Sequence, residues 1–266
     1  MLMVPDITTQ SLTITTQSPA CQPEGNSSGD PGSAQTTHLQ LEAYLAAPTA
    51  PGIYPAILVI QEVFGVNAHI REVADRLARE GYVAIAPNIF QRTAPGLDLG
   101  YSDAELALGR SHKDQTIASQ LLGDLQAIIA YLYSLPQVKS GGVGVIGFCF
   151  GGHVAYLAGV LPDVKAIASL YGSGVAVMTP GGGQPTLGRT REITGQVYAF
   201  FGTQDPLIPN EQADAIEAEL IKWGVDHQIF RYEAGHGFFC DRRDSYNAVA
   251  AQDAWEQIKV LFRCLK

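Results

Sequence analysis

A cysteine framed by glycines two positions to either side, Gly147-Phe148-Cys149-Phe150-Gly151-Gly152, follows the apolar run Val143–Phe148 and precedes the helical HVAYLAG. A turn of this kind between strand and helix holds its central residue in strained backbone geometry and exposes its side chain. It also puts the Phe150 N–H at a helix N-terminus, where free N–H groups and the helix dipole stabilise both a thiolate and a developing oxyanion. Nucleophilic attack on a carbonyl is the chemistry this placement serves. On the motif alone, a buried structural cysteine in a tight turn competes with that reading, because short motifs recur by chance.

Two downstream residues shift the balance. Asp205, in FGTQDPLIP, follows the strand-like VYAFFG, and His236, in YEAGHGFF, follows HQIFRYE with Gly235 and Gly237 free to bend its loop. Asp205 by itself reads equally as an Asp-Pro turn. The chain order nucleophile, acid, histidine, with each residue after a successive strand, is the order of an α/β-hydrolase triad. Glu62, in ILVIQEVFGVN at the end of the first buried strand, stands where a carboxylate meets apolar neighbours, and reads either as part of the cysteine's surroundings or as a solvated loop acid. His69 and His153 fall in or near helix starts, and His38, His112 and His227 have no glycine-bounded loop, so these five read as packed or solvated.

The elements that must position these residues are legible as periodicity. Ser11–Thr16 and Leu39–Ala46 alternate apolar and polar residues like a half-buried antiparallel pair, and the Gly/Pro/Ser-rich stretch between them, 17–37, reads as a long flexible hairpin loop. Ala56–Ile60, Tyr82–Pro87, Val143–Phe148, Val164–Gly172, Gln196–Gly202 and His227–Glu233 are predicted strands. Helices are predicted over His69–Glu80, over about Asp114–Ser134, and after the strands ending at Phe148, Gly202 and Glu233. The expected architecture is a doubly wound, mostly parallel α/β sheet with an antiparallel N-terminal edge, in one domain spanning 1–266. Three consecutive glycines mark 179–195 as an inserted loop with no helix.

Composition narrows the function classes. A net charge of −9 without any Lys/Arg run opposes nucleic acid and anionic membranes as partners. Cys21, Cys149, Cys240 and Cys264 show no CxxC spacing, so neither a zinc cluster nor a disulfide framework is indicated. The first residues lack the features of a secretory leader, and no segment reaches the ~18 apolar residues of a membrane span. A cytoplasmic monomer acting on a small molecule is the expectation.

QEVFGVN (Gln61–Asn67), GFCFGG (Gly147–Gly152), FGTQDPLIP (Phe201–Pro209) and AGHGFF (Ala234–Phe239) together resemble the dienelactone hydrolase, or carboxymethylenebutenolidase, family over roughly residues 40–266. The resemblance implies a Cys149–His236–Asp205 triad and hydrolysis of a small ester or lactone without metal or organic cofactor. It implies an oxyanion hole from the N–H groups of Phe150 and Val63, and a regulatory Glu62 that pairs with the cysteine. In that family an arginine four residues after the histidine grips the substrate carboxylate; here the position is Cys240, which leaves Arg110 or Arg242 as substitutes and Tyr171 as a residue bordering the pocket. Two other readings stay open: a ligand-binding member of the fold without turnover, and a thiol redox sensor with Cys240 resolving an oxidised Cys149.

Overall fold

The computed structural model describes residues 5–18 and 37–266. Its eight-stranded sheet has the order β1-β2-β4-β3-β5-β6-β7-β8. The antiparallel edge is β1 (Ile7–Ser18) and β2 (Thr37–Pro48), paired along their whole length. The hairpin loop expected over 17–37 lies, for 19–36, outside the described residues, and its two ends belong to the strands.

Six strands follow in parallel: β3 (Tyr54–Ile60), β4 (Val83–Pro87), β5 (Val138–Phe148), β6 (Val164–Leu170), β7 (Gln196–Gly202) and β8 (His227–Tyr232). Continuous apolar runs form them because both faces are covered: β3 and β4 are buried almost without interruption by flanking helices. The helices are α1 (Ala68–Arg79), α2 (Asp103–Lys113), α3 (Ala118–Ser134), α4 (Phe150–Ala158), α5 (Asn210–Lys222) and α6 (Ala248–Phe262). No described helix is long and apolar enough to cross a membrane.

The order reverses at β3: β4 lies on one side of it and β5 on the other. Ligand crevices of open α/β sheets form at such a switch, beyond the carboxyl ends of the strands. Because Ile60 pairs with Gly147, Glu62 and Cys149 lie two residues beyond matched positions on neighbouring strands.

Two local expectations are corrected. The helix read from Asp114 begins at Ala118 as α3, and a helix that was not expected, α2, precedes it; Ser102 caps α2, its side chain and that of Glu105 forming a capping box. The insertion 179–195 has no α-helix but carries a 3-10 helix over Thr186–Glu192, beyond the three glycines. His153 of α4 fastens it. The ring lies 3.1 Å from the Ser173 carbonyl through Nδ1 and 2.7 Å from the Thr186 hydroxyl through Nε2. Since a carbonyl only accepts, Nδ1–H donates to it and Nε2 accepts from Thr186.

Burial pushes the His153 imidazole down to about 4. The unfolded chain takes up this proton near the ordinary value and the folded chain does not, so His153 leaves stability intact above 6.5 and erodes it as pH falls toward 4. His153→Gln is expected to flatten that part of the stability profile by on the order of 3 kcal/mol, whatever its effect at neutral pH, as read by urea unfolding at a series of pH values. An unchanged slope would mean the imidazole is not held neutral.

Candidate active site

The site begins with a backbone that only these residues tolerate. Cys149 has φ 54° and ψ −117°, the left-handed half of conformational space that side chains avoid, at the junction of β5 and α4. Neighbouring chain segments approach so closely that a Cβ on Gly147 would stand 1.9 Å from the Gly151 carbonyl oxygen, and one on Gly151 would stand 2.3 Å from that of Gln61. The glycines thus admit the turn, and the turn delivers the sulfur to the strand ends. Phe150 opens α4, which puts its N–H in the first turn beside the thiol. The Val63 backbone follows β3 and lines the same cleft.

Asp205 and His236 follow β7 and β8, and both are buried. The Asp205 carboxylate accepts from the Leu207 N–H at 2.8 Å and from His236 Nδ1 at 2.7 Å. That second bond requires the proton on Nδ1 and leaves Nε2 for the thiol side of the ring. Nε2 is buried and makes no hydrogen bond among the described residues. Burial alone would raise the Cys149 thiol, but the charge of the facing His236 pulls it below the ordinary value. Burial likewise disfavours the His236 cation; the Cys149 thiolate and the Asp205 bond overcome it and lift the imidazole to about 10. The two effects are one: a thiolate and an imidazolium stabilise each other in a desolvated place. The Ser173 hydroxyl, 3.7 Å from the sulfur, adds a weak contact.

Glu62 is almost wholly buried, and its partner is not the thiol. Oε1 accepts from Arg243 Nη1 at 2.9 Å, while Oε2 makes no hydrogen bond among the described residues. Arg243 is the functional residue that the sequence reading missed. Its guanidinium lies over the rings of Phe64 and Tyr101, 5.7 and 5.8 Å from their centroids, and lines the cleft beside His236. A Cβ on Gly237, which has φ 81°, would fall 2.5 Å from Arg243 Nη1, so the glycine after His236 also makes room for the cation.

The other sequence candidates separate. Arg110 of α2 lines the cleft together with Lys113. Arg242 points away and pairs with Glu72 on the surface. Tyr171 is fully buried behind the histidine, its ring edge-on to His236 at 5.1 Å, with φ 37°; it supports the imidazole rather than bordering the cleft. Cys240 is a buried free thiol that donates to the Tyr101 hydroxyl at 3.3 Å, and Cys149 is likewise free.

The cleft encloses about 620 Å³, room for a small organic molecule. Val63, Phe64, Leu106 and Met178 give it apolar walls, and Cys149, His236 and Arg243 supply the polar groups. Val177 and Leu207, both largely exposed, stand at its rim.

Residues 41–265 match the profile of the "Dienelactone hydrolase family". A "Putative carboxymethylenebutenolidase" of Synechocystis sp. is 54% identical over 227 residues, 85% of this chain and 92% of that protein. One of Yersinia pestis with the same description is 34% identical, covering 82% of each chain. The crystal structure titled "Putative Dienelactone Hydrolase" from Klebsiella pneumoniae superposes with a TM-score of 0.80 at 26% identity, covering 97% of this chain and 99% of that one.

The coupled pair has a chemical signature. Alkylation of Cys149 by iodoacetamide is expected to remain fast at pH values below the ordinary thiol range. In His236→Asn the profile should move upward, beyond that of a free cysteine, because burial then acts unopposed. Superimposable profiles for the two proteins would show that the imidazole does not hold the thiolate.

Proposed function

Because the chain belongs to the dienelactone hydrolase family, we propose that it hydrolyses a small ester or lactone by way of a thioester on Cys149, with His236 and Asp205 completing the triad. The hydrogen-bonded Asp205–His236 pair beside a thiol of depressed pKa is the observation that carries this reading.

The Cys149 thiolate attacks the substrate carbonyl carbon, and the carbonyl π electrons move to oxygen, where the Phe150 and Val63 N–H groups receive the charge. On collapse of this intermediate the C–O ester bond breaks and the leaving alkoxide takes the proton from His236 Nε2; in a lactone the freed alcohol stays tethered to the acyl group. His236 then removes a proton from water as it attacks the thioester, and the thiolate departs. Asp205 keeps the imidazole in the needed tautomer and offsets its charge.

Arg243 gives this reading a substrate preference. It occupies the cleft although it lies seven residues after His236, with Cys240 in the position where the resemblance places an arginine. A guanidinium over two aromatic rings suits a substrate carboxylate, and Arg110 stands on the opposite element. Such an anion would compete with Glu62 for Arg243. With Glu62 held by Arg243, as here, Cys149 is left to His236: the armed arrangement.

Cis- and trans-dienelactone, an uncharged lactone and short p-nitrophenyl esters form the test panel. Cys149→Ala should lose about 10⁴-fold or more in kcat with every substrate that the wild type turns over. Asp205→Asn should lose ~10³-fold. Turnover by Cys149→Ala would exclude the mechanism. A second outcome concerns specificity: Arg243→Gln should raise KM about 10- to 100-fold for the carboxylated lactones and much less for the uncharged one. Equal losses on both would remove Arg243 from substrate recognition.

A further inference from the structure

We propose that His69, Cys240 and Asp241 form a binding site for a borderline-soft divalent cation of the zinc class, separate from the catalytic cleft. One ligand atom from each residue, a ring nitrogen, the sulfur and a carboxylate oxygen, lies within 4.8 Å of the other two. His69 is 4% exposed and its Nε2 is buried with no hydrogen-bond partner among the described residues, so that nitrogen is not committed to a protein partner. Its ring is held edge-on by Phe148 and Phe239, with centroids at 5.5 and 6.2 Å, so the nitrogen is fixed in place rather than free to seek water.

The donor set selects the ion. Imidazole, thiolate and carboxylate together suit zinc and its neighbours and suit magnesium or calcium poorly. A four-coordinate site would draw the three ligand atoms about 1 Å closer than they now stand and leave one position for water. An entry path exists: a second cleft of about 300 Å³ opens onto His69 and Asp241. Three cations stand nearby. Arg76 lines this cleft, its guanidinium 3.9 Å from the centroid of the Trp255 ring, Arg242 is held by Glu72, and Arg243, close to Cys240, is held by Glu62. Net attraction therefore comes from the thiolate and Asp241. Binding exchanges the Cys240 proton for the metal: the S–H bond breaks, an S–metal bond forms and H⁺ leaves to solvent. The ligands join α1 to the loop that carries His236, two segments far apart in sequence, which is why cysteine spacing gave no sign of the site.

The test uses the full chain with Cys149→Ser, so that the catalytic thiol cannot contribute a ligand, and Zn²⁺ and Co²⁺ as probes. One Zn²⁺ per chain by calorimetry, a rise in Tm with added Zn²⁺, and a thiolate-to-metal charge-transfer band with Co²⁺ are expected. Adding Cys240→Ser should abolish the band. Adding Asp241→Asn, an exposed position that cannot upset the core, should weaken Zn²⁺ binding about 10-fold or more. The proposal is overturned by absence of binding in Cys149→Ser, by a band that survives Cys240→Ser, or by an affinity that Asp241→Asn leaves unchanged.

Discussion

Between the end of β3 and the start of α4 there is no room for a single additional carbon. The Gly147, Gly151 and Gln61 backbones meet there at distances that a Cβ would reduce to about 2 Å, and this contact forces Cys149 into its left-handed conformation. A residue so placed cannot turn its side chain back into the sheet, so the sulfur meets whatever the neighbouring strands present. β7 and β8 present Asp205 and His236; β3 presents Glu62. The strain at one residue is therefore what makes three separate strand ends a single site, and the buried α/β core around it makes the strain affordable.

Charge then organises what sterics has gathered. A thiol and an imidazole in a desolvated cleft would each be neutral if alone. Together, with Asp205 behind the ring, each shifts the other toward its charged form. A second pair, Glu62 with Arg243, sits alongside it. Removing one partner of such a buried pair leaves an uncompensated charge, so a substrate anion that recruits Arg243 necessarily changes what Glu62 does.

Much of this was legible in the chain. The strands showed as continuous apolar runs because a parallel sheet covered on both faces tolerates little else, and Cys149, Asp205 and His236 showed because glycines and strand ends mark them. What failed to show was placed by tertiary contact. Arg243 has no local motif; its role depends on folding back over Gly237, a glycine already noticed for another reason. Arg242, one residue earlier and just as plausible by type, faces solvent. α2 was missed, its stretch being read as loop before the apolar pattern from Asp114, although Ser102 and Glu105 spell out the capping box that starts it. Glu62 was legible as a carboxylate at a strand end among apolar neighbours, but its partner across 181 positions could not be read from sequence.

The central claim is a covalent bond to one sulfur, and rapid-quench mass spectrometry reads it directly. The wild-type protein mixed with a slowly hydrolysed ester and quenched in acid should carry the acyl mass on the peptide containing Cys149. The adduct should accumulate further in His236→Gln preacylated with an activated ester, because deacylation then lacks its base. Turnover of the ester with no acyl mass on Cys149 at any quench time, or with the mass on another residue, would contradict the account.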